Sequence, residues 1–103
     1  MPFVGSSIVA SDAAVTTEIF NVALGPINTE QSQLINGTIK GYIIKTRGSS
    51  DLKITHVSGE SGTKFINLNG NASFEDGKTY NDLTIYFQSP STGDTVEIWV
   101  WKA

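Results

Sequence analysis

Apolar and polar residues alternate along the last part of this chain, as they do in a β-strand that buries one face. Two segments show the pattern, one over residues 82–89 and one over residues 95–101. Their apolar positions, which we expect to face inward, are Leu83, Ile85, Phe87, Val96, Ile98 and Val100. Because a turn-forming run over residues 90–94 lies between the two segments, we predict that they pair as an antiparallel hairpin.

The same pattern predicts further strands upstream. Four of them cover residues 38–46, 51–57, 64–68 and 72–75, and turns rich in Gly, Ser and Asn bound them. We expect the turn at residues 47–50 to join the first two as a second hairpin. Residues 11–24 fit either a strand or a helix capped by Ser11, and the run Val15-Thr16-Thr17 favours the strand because β-branched residues lower helix propensity.

Composition supports an all-β fold, since Val, Ile and Thr together outnumber the strong helix formers. Seven short strands without a predicted helix indicate one domain, a jelly-roll-like antiparallel β-sandwich over residues 11–103. Residues 1–10 are predicted to form an extended N-terminal arm. Its apolar residues, which we expect to dock on a neighbouring protein, are Phe3, Val4, Ile8 and Val9.

Charge and length narrow the class of partner. The chain has 103 residues, 10 acidic and 7 basic side chains and a formal net charge of −3. Because the basic residues are scattered, we expect no nucleic-acid binding. We also expect no membrane association, since there is neither a long apolar run nor a signal peptide, and we predict synthesis in the cytoplasm. A domain this small buries a modest share of its surface, which favours oligomerisation.

Few residues have the chemistry of a catalytic or metal site. There is no Cys, and His56, the only imidazole, is in register with Leu52 and Ile54, so we interpret it as a structural or surface residue. The acidic loop residues match no calcium-binding loop, and no Ser lies in a Gly-x-Ser-x-Gly turn. We therefore predict no catalytic residue, cofactor or metal. A small hydrolase, the alternative, would require a pocket with at least two convergent titratable groups.

Three aromatic residues lie on the outward face of the two C-terminal strands: Tyr86, Trp99 and Trp101. A sheet with one face in water should carry polar residues there, so these rings need an explanation. They could anchor a protein interface, for which Trp and Tyr are preferred. They could form a platform for sugar rings, or the chain's own loops or arm could cover them.

The run over residues 83–101, LTIYFQSPSTGDTVEIWVW, resembles the closing segment of small virion proteins of tailed bacteriophages. In those proteins it follows a Gly-containing segment, which corresponds here to Glu75-Asp76-Gly77 leading to Asp82 and Leu83. The resemblance covers about the last third of the chain, and more weakly residues 42–57. It implies a β-sandwich that serves as a capsid cement or decoration protein, or as part of a fibre, and it brings no catalytic motif.

Pattern, composition and resemblance together predict a non-enzymatic virion structural protein. We expect it to be made in the cytoplasm of a bacterial host, to bind the major capsid protein on the outer surface of the phage head, and to form a homotrimer. The alternative is a carbohydrate-binding or fibre-type module for host recognition.

Overall fold

The computed structural model describes residues 16–103, and every regular element within them is a β-strand. The strands are β1 (Thr16–Ala23), β2 (Gln31–Thr46), β3 (Leu52–Thr55), β4 (Ile66–Leu68), β5 (Ser73–Asp76), β6 (Tyr80–Gln88) and β7 (Thr95–Lys102). The all-β prediction is confirmed, as is the strand in place of a helix at β1. The predicted arm at residues 1–10, with Phe3, Val4, Ile8 and Val9, lies outside the described residues.

All seven strands belong to one antiparallel sheet whose order is β1-β7-β2-β6-β3-β4, with β5 paired to β2. The long strand β2 divides this sheet. Its first part, from Gln31 to Ile39, pairs with β6, and its second part pairs with β7 on one side and β5 on the other. We call β6, β3, β4 and the first part of β2 the β6 half, and β1, β7, β5 and the second part of β2 the β7 half.

Strand β2 is irregular where it passes from one half to the other. Its register with β6 shifts between Ile35 and Thr38, and its register with β7 shifts between Ile39 and Gly41. Gly37, inside the first irregularity, has a φ of 93°, which side-chain-bearing residues rarely adopt. Its N–H donates to Asp82 Oδ1 at 2.6 Å. Such bulges bend a strand and increase its twist, so β2 can belong to both halves.

Both predicted hairpins are wrong. Strands β6 and β7 each pair with β2, which lies between them, and β3 pairs with β4 and β6 but not with β2. The two connecting turns instead contact each other. Asp94 accepts hydrogen bonds from the N–H groups of Gly48 and Ser50, and Ser89 Oγ donates to the Asp51 carbonyl at 2.6 Å. The connections therefore cross between halves of the sheet and do not close hairpins.

The predicted division of β6 and β7 into an inner and an outer face is confirmed. Both halves contribute to a single hydrophobic cluster, whose buried members are Leu24, Ile35, Ile39, Tyr42, Ile44, Leu52, Ile54, Leu68, Leu83, Ile85, Phe87, Val96, Ile98 and Val100. Phe20 and Val22 of β1 pack against this cluster from the edge. The core therefore lies against the inner face of the sheet.

Candidate functional site

Between the edge strands β4 and β5 the core opens into a hollow of about 440 Å³. Its wall comes from five parts of the fold: β2, the end of β3, the residues that lead into β4, β5 and the start of β6. The wall includes side chains that can carry a charge, form hydrogen bonds or contact a cation, among them Tyr42, His56, Lys64, Phe65, Asp76 and Tyr80. We call this the His56–Asp76 hollow. Its volume is in the range typical of small-molecule sites.

Strand register explains why Tyr42 and Asp76 meet there. They are direct partners in the pairing of β2 with β5, so their side chains share one face, which is the core face. Tyr42 is fully buried, and Phe74, two residues before Asp76, lies on the same side of β5. A Cβ at Gly41 would lie 2.8 Å from the Asp76 carbonyl oxygen, so β5 approaches β2 this closely because residue 41 has no side chain.

Short hydrogen bonds hold the polar groups of the hollow in place. The Tyr42 hydroxyl lies 2.6 Å from His56 Nε2. The Tyr80 hydroxyl donates to Asp76 Oδ2 at 2.5 Å, and the N–H of Lys78 donates to Asp76 Oδ1 at 2.9 Å. The carboxylate is thus fixed through both of its oxygens, and each tyrosine ring is oriented by its own hydroxyl.

Burial determines the protonation states of Tyr42 and His56. It raises the pKa of the Tyr42 hydroxyl, with the negative charge of Asp76 adding to the effect, and it lowers the pKa of His56 below 6.5. At neutral pH the tyrosine is therefore protonated and the imidazole is neutral. The direction of the Tyr42–His56 hydrogen bond depends on the tautomer of the neutral imidazole: the hydroxyl donates to Nε2 when the imidazole proton is on Nδ1, and it accepts from Nε2 when the proton is there.

Asp76 is ionised at neutral pH. Burial raises its pKa, but the hydrogen bonds from Tyr80 and Lys78 outweigh burial. The charge of Lys78 and, at the acidic pH where Asp76 titrates, the charge of protonated His56 act in the same direction and help to hold the pKa below 3.8. In return, the hydrogen bond to Asp76, together with burial, raises the pKa of Tyr80 to about 12. The hollow therefore presents one carboxylate among neutral aromatic groups.

This arrangement meets the requirement stated for a hydrolase, because His56 and Asp76 converge on one pocket. However, Nε2 of His56 is already hydrogen-bonded to the Tyr42 hydroxyl, and Asp76 already accepts two hydrogen bonds. Within residues 16–103, no three His, Cys, Asp or Glu residues cluster in a way that could hold a metal ion. What the fixed groups can do is bind a polar or charged molecule between the carboxylate and the rings.

Sequence analysis missed this hollow, since its residues come from distant parts of the chain. One signal was available in the sequence. His56 continues the inward register of Leu52 and Ile54, and a polar residue at a core-facing position needs a partner. The partner is Tyr42, but alternation alone does not identify it.

The outward face of the β7 half carries the two predicted tryptophans side by side. The rings of Trp99 and Trp101 stack, with centroids 5.5 Å apart and planes inclined by 19°. Trp99 is 47% exposed. Its direct neighbours across the sheet are Ile19 of β1, which is 62% exposed, and Ile43 of β2. We call Ile19, Ile43, Trp99 and Trp101 the tryptophan face.

Polar groups and two shallow hollows border the tryptophan face. Glu97 accepts from Lys45 Nζ at 3.1 Å and from Arg47 Nε at 2.8 Å. Trp99 lines a hollow of about 220 Å³ together with Glu97 and Lys45, and Trp101 lines one of about 430 Å³ near Asp76. The tryptophan pair is therefore open to contact from both sides.

Tyr86, the third predicted aromatic, is not part of this face. It lies on β6, between Ser32 of β2 and Thr55 of β3, and it is half-buried. The structure thus brings Trp99 and Trp101 together and places Tyr86 on the other half of the sheet. Their roles as interface residues stay predictions.

Comparison with protein-family models, with curated proteins and with solved structures finds no match to this chain. Within residues 16–103, no helix has the length and apolar character needed to cross a membrane.

Proposed function

We propose that this chain is a non-enzymatic virion structural protein, a capsid cement or decoration protein. In this proposal it binds the major capsid protein on the outer surface of a phage head, as a homotrimer, and stabilises the head by bridging capsid subunits. The observation that carries the proposal is the exposed tryptophan face, whose Trp99 and Trp101 belong to the run over residues 83–101 that resembles phage virion proteins.

The tryptophan face has the composition of a protein interface. Its centre is apolar and aromatic, and Trp is among the residues that dominate binding energy when buried by a partner. The ion pairs of Glu97 with Lys45 and Arg47 lie at its border, as polar groups do at the rim of interfaces. A partner that covers Trp99 and Ile19 would remove from water the two most exposed residues of this face.

We also propose that the sheet is a jelly-roll-like β-sandwich whose two layers are the β6 half and the β7 half. The support is that Phe87 of β6 and Ile98 of β7 are both fully buried in one cluster, although the regular elements described are all strands. Two layers facing each other would enclose such a core, whereas an open single layer would expose it.

The experiment is co-sedimentation of the purified chain with heads of the encoding phage that lack this protein. We expect Trp99→Ala and Trp101→Ala each to weaken binding by about 2 kcal/mol or more, while their melting temperatures stay near that of the wild type. Leu34→Ala is the matched control, since Leu34 is an apolar residue of the β6 half that is 51% exposed.

Phe87→Ala is the reference for a core change and should cost about 3–5 kcal/mol of folding stability. Undiminished head binding by both tryptophan variants would contradict the tryptophan face as the attachment surface. If the melting temperatures of the two tryptophan variants fell as far as that of Phe87→Ala, Trp99 and Trp101 would be core residues and not interface residues.

The second candidate is a carbohydrate-binding or fibre-type module. It is favoured by the hollows beside the tryptophan pair, where side-chain groups such as Glu97 and Lys45 stand next to an exposed ring. Glycan-array binding that Trp99→Ala abolishes, without binding to heads, would select this function over capsid attachment.

A further inference from the structure

A continuous wall of aromatic rings lines the His56–Asp76 hollow. The ring centroids of Phe74 and Tyr42 are 6.2 Å apart, those of Tyr42 and His56 are 5.8 Å apart, and those of His56 and Tyr80 are 5.3 Å apart. Successive planes are inclined by 52°, 52° and 90°, so no two neighbouring rings form one flat surface. A flat sugar ring stacks on one broad ring face, so tilted rings suit a compact, rounded group better.

The charged group held in a fixed position on this wall is the Asp76 carboxylate. Asp76 is fixed through both oxygens by Tyr80 and the N–H of Lys78. The hydroxyl of Tyr42 is engaged with His56, and neither group is charged at neutral pH. Two lysines place positive charge nearby: Lys64 lines the hollow, and Lys78 acts on the pKa values of Asp76 and His56. Both are exposed, so their side chains can extend into solvent.

We propose that the His56–Asp76 hollow binds a quaternary ammonium group, with the aromatic rings around the cation and the Asp76 carboxylate as its counter-ion. Aromatic ring faces attract cations, and a quaternary ammonium, which cannot donate hydrogen bonds, is the cation that loses least by leaving water. One face of the Phe65 ring already holds the chain's own ammonium group, since Lys53 Nζ lies 4.8 Å from the ring centroid, so a bound cation contacts the other face or displaces Lys53.

This binding is separate from attachment through the tryptophan face. The hollow opens between β4 and β5, whereas Trp99 and Ile19 lie on the outward face of β7 and β1. Asp76 also lines the shallow hollow beside Trp101, but Phe65 and Lys64 do not, so variants at these two residues report on the His56–Asp76 hollow alone. The failure of one proposal therefore leaves the other intact.

The test is a titration of the full chain, labelled with ¹⁵N, with choline and with its uncharged isostere 3,3-dimethylbutan-1-ol. We expect choline to shift the amide resonances of residues around the hollow and to bind about tenfold or more tightly than the isostere, since only choline gains from the charge. Equal binding of the two would overturn the proposal, because it would show a merely apolar site.

Three variants locate the binding. Asp76→Asn should weaken choline binding about tenfold or more by removing the counter-ion. Phe65→Leu keeps an apolar side chain at a position that is 37% exposed, and it should also weaken binding, because it removes a ring. Lys64→Ala is the charge control and should leave choline binding unchanged or tighter, so a loss on this change would overturn the cation site.

Asp76→Asn is informative only if the amide spectrum of this variant shows a folded chain. If Asp76→Asn does not fold, Phe65→Leu still tests the proposal. Titrations with phosphocholine and with Nε-trimethyl-lysine distinguish a headgroup-like source of the cation from a modified protein side chain. The proposal would be overturned if millimolar choline shifted no amide resonance. It would also be overturned if methyl glucoside, used in place of choline, shifted the amide resonances of residues around the hollow.

Discussion

At the scale of single residues, the Asp94 side chain connects two parts of the fold through its hydrogen bonds. Its carboxylate accepts hydrogen bonds from the N–H groups of Thr95 at 2.7 Å, Gly48 at 2.8 Å and Ser50 at 3.3 Å. A Cβ at Gly48 would lie 2.8 Å from Asp94 Oδ2, so glycine permits the contact. The bonds from Gly48 and Thr95 lower the pKa of Asp94 to about 2. One side chain thus ties the turn after β2 to the start of β7.

We predict that Asp94→Asn lowers the free energy of unfolding at pH 7 by about 1–2 kcal/mol, because an amide oxygen is a weaker acceptor than a carboxylate. The folded-state pKa of about 2 lies below the ordinary value of 3.8, so the carboxylate stabilises the fold fully above that value. The stabilisation is lost as pH falls from near 3.8 to near 2. Urea denaturation across this range should show the difference between wild type and variant shrinking.

Glu75→Gln is the control for that series, since Glu75 is an exposed carboxylate of β5, and its stability at pH 7 should stay within about 0.5 kcal/mol of the wild type. A stability difference between wild type and Asp94→Asn that persists undiminished at pH 2 would refute the role given to ionised Asp94.

At the scale of strands, the close approach of β5 to β2 depends on Gly41. We predict that Gly41→Ala destabilises the fold by about 1–3 kcal/mol, because the new Cβ would lie 2.8 Å from the backbone oxygen of Asp76. The displaced β5 should also weaken choline binding. Thermal melts and the choline titration measure the two effects.

Gly77→Ala is the matched control, one residue beyond β5. No heavy atom lies within 4 Å of a Cβ built at Gly77, so this variant should be neutral or stabilised by up to about 1 kcal/mol through the unfolded chain. A Gly41→Ala protein as stable as Gly77→Ala would show that β5 moves aside without cost.

Alternation in the sequence predicted the strands and their buried faces, but not their partners. The reason is that a period of two fixes which side of a strand Ile98 or Phe87 faces and says nothing about the neighbouring strand. The turn at residues 90–94, which joins β6 to β7, suggested a hairpin, yet β2 lies between these two strands in the sheet. The first part of β2 was missed because Gln31, Ser32 and Gln33 are polar and Gly37 interrupts the pattern.

The same limit applies to the two candidate sites: the sequence pattern shows which residues share a strand face, but not which strands meet. Trp99 and Trp101 are two residues apart on one strand, so their shared face was predictable. His56 and Asp76 belong to different halves of the sheet, and only the bent path of β2 brings them to one hollow.

At the scale of the whole molecule, we predict a stable homotrimer in solution. Several large apolar side chains outside the tryptophan face remain about half exposed, among them Ile27 (55%) and Val57 (51%), and a chain of this size gains from covering such surface. Sedimentation over a range of concentrations measures the mass. A single species near 11.1 kDa at micromolar concentration would contradict the trimer.

The pairing of β1 with β7 also has a consequence for how the protein folds. Glu18 and Lys102, joined by an ion pair, are 84 residues apart in the chain. During synthesis, β1 remains without its partner until β7 has left the ribosome, whereas the second part of β2 can pair with β5 before then. Folding of such non-local pairings is slow, since chain entropy must be lost before contacts form. The nascent chain therefore exposes β1 as an unpaired strand until β7 emerges, and a chaperone would protect it most during that interval.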